Sequence, residues 1–217
     1  MGDGGVGGRC AVAPDPLQRR ALPWPVPGGG RVMEDDFIKR CAEKEIYAYG
    51  TAYIFESRSR SLRFRLRILS FLSLAVPLSV GGIAMAAADA KLLPVIVTIS
   101  GLLSIPLFVM TLWSLVFRWE ERLAASEHAC KSNNELKNGW EDLARYKGPD
   151  AEEKFSALLE RDRIQEESDK RQDVSAKEKR QMMRASLIQY RRKCATCGVQ
   201  PISMSAKGSS CATCGDF

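Results

Sequence analysis

The stretch that decides the fold is ILSFLSLAVPLSVGGIAMAAA, Ile68–Ala88, then Asp89-Ala90-Lys91, then LLPVIVTISGLLSIPLFVMTLWSLVF, Leu92–Phe117. Neither apolar run contains a charged residue. At about 1.5 Å of rise per residue, each is long enough as a helix to cross a hydrocarbon core of about 30 Å. The short connection turns the second run back beside the first, so the sequence predicts an antiparallel transmembrane hairpin. The competing reading is a pair of buried helices in a soluble bundle. Helices of that kind keep a polar face, and these two have almost none.

The flanks orient the hairpin. Arg58, Arg60, Arg63, Arg65 and Arg67 precede the first run, Arg118 and Arg122 follow the second, and the connection offers only Lys91. By the positive-inside rule the arginine side is cytoplasmic. The expectation is a multi-pass protein of the cell inner (plasma) membrane with both termini in the cytoplasm. Trp113, Phe117 and Trp119 suit the interface on that side. The spans hold no ionisable residue, which disfavours a proton relay or a charge-coupled transporter.

Gly82 and Ala86, and Ser100 and Ser104, are spaced as small-xxx-small pairs that let helices approach closely in lipid, which predicts a homo-oligomer. Pro77, Pro94 and Pro106 each remove a backbone donor and predict local kinks, with Ser73 and Ser104 placed to bond nearby carbonyls. A pore lined by several copies and a plain anchor both fit this pattern.

Working outward, residues 1–32 are rich in Gly and Pro and read as a disordered leader without a secretory signal. The GDGGVGG run lacks the following Lys-Ser or Lys-Thr and the preceding strand of a phosphate loop. Met33 opens a helical pattern and is an alternative translation start. Residues 33–67 read as a cytoplasmic amphipathic helix, with Phe37, Ile38, Cys41, Ile46, Tyr49 and Tyr53 on one face, leading into the arginine flank.

Past the second span, Trp119, Leu123, Cys130, Trp140 and Leu143 fall near a 3.5-residue spacing interrupted by Ser126, Asn133 and Lys137, which predicts a helix continuing from the membrane. Gly148-Pro149-Asp150 breaks it and starts another. Arg118–Lys193 nearly balances acidic against basic residues, and the part from Ala151 reads as a solvated or self-associating helix laced with opposite-charge pairs. Arg184, Arg191, Arg192 and Lys193 concentrate basic charge before the C-terminal cysteines, leaving a nucleic-acid-binding helix as the alternative. His128 reads as a surface residue.

The chain has 217 residues, a formal net charge of +6 and seven cysteines. An odd cysteine count with four crowded into residues 194–217 argues against a secreted disulfide scaffold and for a metal site in a reducing compartment. Cys10, Cys41 and Cys130 read as structural. Cys194-Ala-Thr-Cys197-Gly and Cys211-Ala-Thr-Cys214-Gly are near-identical knuckles separated by 13 residues. Two residues between cysteines let both thiolates reach one ion, and the following Gly accepts the turn that aims backbone amides at sulfur.

Cys194, Cys197, Cys211 and Cys214 are therefore the expected ligands of a structural Zn²⁺, with Gln200–Met204 and Lys207-Gly208 suited to a small hairpin between the knuckles. A redox pair is the competing reading, and the chain shows no thioredoxin-type βαβ pattern. Four sulfurs leave no open position for activated water. With no nucleophile–base pair, carboxylate-rich metal site or nucleotide fingerprint in view, the sequence predicts no enzyme, no catalytic residue, no bound organic cofactor and no small-molecule substrate.

The expected fold is an all-α membrane protein: a two-helix transmembrane hairpin over 68–88 and 92–117, a cytoplasmic helical region over 118–193 and a small zinc ribbon over 194–217. These features resemble the SLATT superfamily of two-helix prokaryotic membrane proteins. The residues that carry the likeness are Ser57-Arg-Ser-Arg-Ser-Leu-Arg-Phe-Arg-Leu-Arg67, the hairpin with Val76-Pro77 and Gly81-Gly82, and the helical extension. The chain is also similar to a mobile-element-encoded subset that ends in paired CxxC motifs.

The resemblance implies an effector of microbial conflict, such as antiphage defence, that perturbs the membrane as an oligomer once triggered. The alternative is a non-toxic membrane adaptor whose zinc ribbon recruits a cytoplasmic protein or nucleic acid. Beyond such a partner, the lipid bilayer and further copies of the chain are the expected partners.

Overall fold

The computed structural model describes residues 32–86, 93–146, 148–205 and 210–215. Five helices follow one another, and no strand occurs among the described residues: α1 Val32–Ala86, α2 Leu93–Val116, α3 Trp119–Arg145, α4 Ala151–Lys170 and α5 Ala176–Gln189. They divide into two compact units, one of Arg58–Ser126 and one formed by the residues through Ser57 together with those from Glu127 onward. The expected leader over 1–32 and the Asp89–Lys91 connection lie outside the described residues, apart from Val32 at the start of α1.

The helical unit is built around the first half of α1. Cys41 and Ala48 pack with Leu136, Trp140 and Leu143 of α3 and with Phe155 of α4, while Phe55 packs with Ala129 and Cys130. As α1 advances from Cys41 to Phe55, its partners on α3 recede from Trp140 to Cys130, so the two helices run antiparallel. Ser126, Asn133 and Lys137, which interrupt the apolar spacing of α3, are buried too. They occupy the seam itself, where heptad geometry faces them inward whatever their polarity.

Asn133 meets this burial by donating to the carbonyl of Ala129 at 2.9 Å and to the Asp169 carboxylate at 2.8 Å. Trp140 is fully buried, with its ring 5.3 Å from that of Phe155, and its indole N–H has no acceptor among the described residues. Burial pushes the Cys41 thiol up to about 11, so it behaves as an inert core residue.

Two glycines set the helix spacings. A Cβ on Gly50 of α1 would stand 2.5 Å from Met182 Cγ and 2.6 Å from Ser186 Oγ of α5, so only a bare backbone admits α5 here. A Cβ on Gly139 of α3 would meet Leu158 of α4 at 3.1 Å. Polar contacts fix the register: Lys44 Nζ lies 2.7 Å from Asp162 of α4, Ser186 Oγ donates to the Ile46 carbonyl at 3.2 Å, and the Tyr190 hydroxyl donates to Glu45 at 2.8 Å.

Two helices are long and apolar enough to cross a membrane, α1 over Asp36–Gly82, a stretch that begins in the helical unit, and α2 over Thr98–Val116 in the other. Within that other unit their large side chains face outward; Leu78 and Val116 are each 74% exposed. The hydroxyls turn back onto their own helices: Ser73 to Ser70 O at 2.9 Å, Thr98 to Pro94 O at 2.9 Å, Ser104 to Ser100 O at 2.7 Å and Thr111 to Leu107 O at 2.9 Å. This is the bonding that satisfies a hydroxyl without water.

Three expectations change. The amphipathic helix and the first span are one helix, because nothing in the arginine flank breaks α1. Pro94 lies in the first turn of α2, where its missing N–H has no carbonyl to meet, so it costs no hydrogen bond; Pro77 and Pro106 lie inside helices. The helix after the second span is a new one. Arg118 adopts φ 51°, its N–H bonding Leu115 O at 3.1 Å, and α3 starts one residue later. An αL arginine costs about 1–2 kcal/mol relative to a right-handed residue.

Candidate metal centre

Helix α5 delivers the chain to the cysteines. Ser175 caps its start, accepting from the Glu178 N–H while the Glu178 carboxylate accepts from the Ser175 N–H at 2.9 Å. At its end Arg191 takes φ 51°, its N–H bonds Ile188 O at 3.2 Å and the Arg192 N–H bonds Leu187 O at 2.9 Å. That pair of bonds is a Schellman motif, formed here around an arginine where glycine is the usual occupant. It turns the backbone out of the helix two residues before Cys194.

Each knuckle closes on itself. The Gly198 N–H donates to Cys194 O at 2.8 Å, the Gly215 N–H donates to Cys211 O at 2.9 Å, and Gly198 has the φ of +71° that this turn requires. The knuckles face each other as near-equivalents: first cysteine meets first, with Cys194 and Cys211 Sγ 3.9 Å apart, and second meets second, with Cys197 and Cys214 Sγ 3.7 Å apart. The Thr196 and Thr213 hydroxyls bond at 2.7 Å across the same division. All four sulfurs lie within 4.8 Å of one another. Four sulfurs about 2.3 Å from a tetrahedral Zn²⁺ stand about 3.8 Å apart, so the spacing suits a metal site with four thiolate ligands. It is far outside the S–S bond of about 2.05 Å, and the four cysteines are free thiols.

The electrostatics also suit cation binding. Backbone N–H groups of Thr213 and Cys214 aimed at the sulfur hold the Cys211 thiol down at about 6. Burial pushes the Cys194 thiol up, but the N–H groups of Cys197 and Thr196 outweigh it and the net shift is downward. Burial and the neighbouring thiols push the Cys214 thiol strongly up. Cys194 and Cys214 pack on Leu187 of α5, whereas Cys197 is exposed.

Sequence reading misses one residue. It groups Arg184 with Arg191, Arg192 and Lys193 as basic surface charge, yet Arg184 is buried. Its Nε donates to Ser203 O at 2.7 Å, Nη2 to Ser205 O at 2.6 Å and Nη1 to Cys214 O at 2.9 Å. A signal is present in the spacing, since Arg184 lies three residues before Leu187 and so shares its helical face. The same contacts explain why the hairpin expected between the knuckles is missing among the described residues. The carbonyls of Ser203 and Ser205 bond a guanidinium and not a facing strand; Lys207-Gly208 lies outside the described residues.

His128 is exposed, as expected. A concavity of about 860 Å³ opens beside the second knuckle, between Lys44, Tyr47, Asp162, Asp169, Arg180 and Thr213. Burial pushes the Asp169 carboxyl up, against the bonds from Asn133 and Gln165 that favour its charge.

Residues 38–217 match the family described as Mobilome CxxCx(11)CxxC protein. No curated protein and no solved structure matches the chain. The 13-residue gap here is longer than the 11 of that description, yet the four sulfurs converge.

Proposed function

The chain belongs to the Mobilome CxxCx(11)CxxC protein family, and from that premise we propose that it is a non-enzymatic membrane effector carried by a mobile genetic element. In this reading α1 and α2 cross the inner membrane as a hairpin, the arginine flank and both termini face the cytoplasm, and the cysteines hold a structural Zn²⁺. The observation that carries it is the contrast in exposure: most of the described apolar side chains of α2, from Val95 to Val116, lie outward, while Phe55, Leu136, Trp140 and Leu143 at the centre of the helical unit are packed. A surface of that kind requires lipid or further copies of the chain. Around Gly82 and Gly101 the space is open, with no atom of the described residues beyond their own helix backbone and chain neighbours within 4 Å of an added Cβ, which leaves a close approach for a neighbouring copy.

The SLATT likeness supplies the role, membrane perturbation by an oligomer in microbial conflict such as antiphage defence. Controlled expression in bacteria then depolarises the inner membrane. Unchanged potential and growth under every trigger tried, with the protein present in the membrane fraction, would sink the effector role.

A non-toxic adaptor is the second reading, favoured by Val199 and Ile202, which are exposed in the segment that follows the first knuckle. Replacing both with Ser then abolishes recovery of a cytoplasmic protein or nucleic-acid partner without changing membrane insertion. Recovery at the wild-type level removes this reading.

A further inference from the structure

We propose that Arg184 is a positioning residue that ties the state of the metal site to the seating of α5 on α1. The inference rests on the metal reading above. All three guanidinium nitrogens of Arg184 are committed to carbonyls of the cysteine region, and none bonds a helix backbone. Those carbonyls lie outside any helix, and that of Cys214 is buried, so without the guanidinium it loses the partner that a buried backbone oxygen needs.

The neighbours of Arg184 along α5 make contacts in two directions. Met183 and Leu187 pack with Cys194, Cys211 and Cys214. Met182 and Ser186 close on Gly50 of α1, with Ser186 bonded to Ile46 O at 3.2 Å. One helix is thus held by the knuckles and by α1, with Arg184 between the two sets of contacts.

Removing the ion takes away the tetrahedral restraint that keeps Cys214 O within reach of the guanidinium. A buried cation that loses its acceptors is expensive, and the least costly relief is to expose it by loosening α5. Freed sulfurs alone would unfold only the knuckles. The arginine extends the effect to α5 and to the Ile46–Gly50 turn of α1.

The test uses the full chain in detergent micelles, with zinc content measured by elemental analysis and hydrogen exchange followed before and after chelation. In the wild type, chelation should speed exchange about tenfold in the knuckles, in α5 and in residues 46–50. In Arg184→Met the zinc affinity should fall about 10–100-fold, as for other outer partners of metal ligands. In that variant chelation should still free the knuckles while α5 and residues 46–50 no longer respond. Arg184→Lys, which keeps the charge without the fork, should respond partially, and it serves if the Met variant does not fold. Wild-type protein that loses zinc while α5 keeps its protection overturns the proposal, as does a variant that transmits the full response. Wild-type protein that holds no metal overturns both this proposal and the metal reading.

Discussion

Helix α2, apolar throughout, and the first half of α1, amphipathic, both carry rows of apolar side chains, yet they treat them in opposite ways. Along α2, Leu102 and Phe108 are each 65% exposed, whereas Ala52, Phe55 and Cys41 of α1 have no exposed surface. The polar groups differ in reach. Ser73, Ser104 and Thr111 bond carbonyls of their own helix, while in the helical unit Ser186 and Asn133 also reach across to neighbouring helices. Apolar side chains on a helix therefore do not by themselves fix where it belongs. What separates the two is whether a neighbour is shaped to receive them, as α3 with its heptad seam receives α1.

The largest effect tests the half of the contrast that depends on more than packing. Cys211→Ser should take metal content from one ion per chain to none, removing most of a binding free energy of about 10–16 kcal/mol typical of structural zinc, while membrane insertion stays at the wild-type level. Elemental analysis and membrane extraction measure the two outcomes separately. Falling pH should act in the same direction. The Cys211 thiol is depressed to about 6 from its ordinary value of 9.0, so its contribution is present above about pH 9 and is lost as the pH falls through about 6.

Trp140→Ala should destabilise the helical unit by about 3–5 kcal/mol, read as a lowered midpoint of thermal or denaturant unfolding, because it empties the centre of the α1–α3–α4 core. Phe108→Asp sharpens the other side of the comparison. If water bathes this 65% exposed position, the change is harmless or improves solubility. If lipid does, insertion should worsen by about 2.5–3.5 kcal/mol in a translocon-based assay.

Gly50→Ala should cost about 1–3 kcal/mol through overpacking against Met182 and Ser186. The same change at Gly82, where the space is open, should be neutral for the isolated chain. The smallest effect should be a gain: Arg191→Gly relieves an αL arginine and should stabilise the approach to the cysteines by about 1 kcal/mol. A loss of stability there would mean that the Arg191 side chain makes a compensating contact.

Much of this was legible in the sequence because the signals are local. The two apolar runs, the break at Gly148–Asp150 and the paired CxxC spacing each follow from residues a few positions apart. The α3 seam was legible as well, since Trp119, Leu123, Cys130 and Trp140 keep a heptad step, although the burial of Lys137 and Asn133 could be judged only once a partner helix was in place. What stayed hidden depends on contacts distant in sequence. Nothing around Gly50 announces that Met182 will pass within a methyl group of it. Arg184 looked like surface charge because its acceptors, Ser203, Ser205 and Cys214, lie beyond the metal motif's own repeat. The single residues that turn the chain, Arg118 and Arg191, were invisible for another reason: both hold a backbone conformation that propensity assigns to glycine.

The 13-residue gap between the knuckles has a consequence for how this chain can vary. Loop-closure entropy grows only with the logarithm of length, so going from 11 to 13 residues costs about 0.15 kcal/mol. Inside a knuckle the arithmetic is different, because one added residue would carry a sulfur away from the ion and forfeit a metal–thiolate bond. The intervening segment is thus elastic in length while its two ends are rigid, and new sequence could be spliced between the knuckles at almost no thermodynamic penalty, provided the carbonyls of Ser203 and Ser205 still reach their arginine.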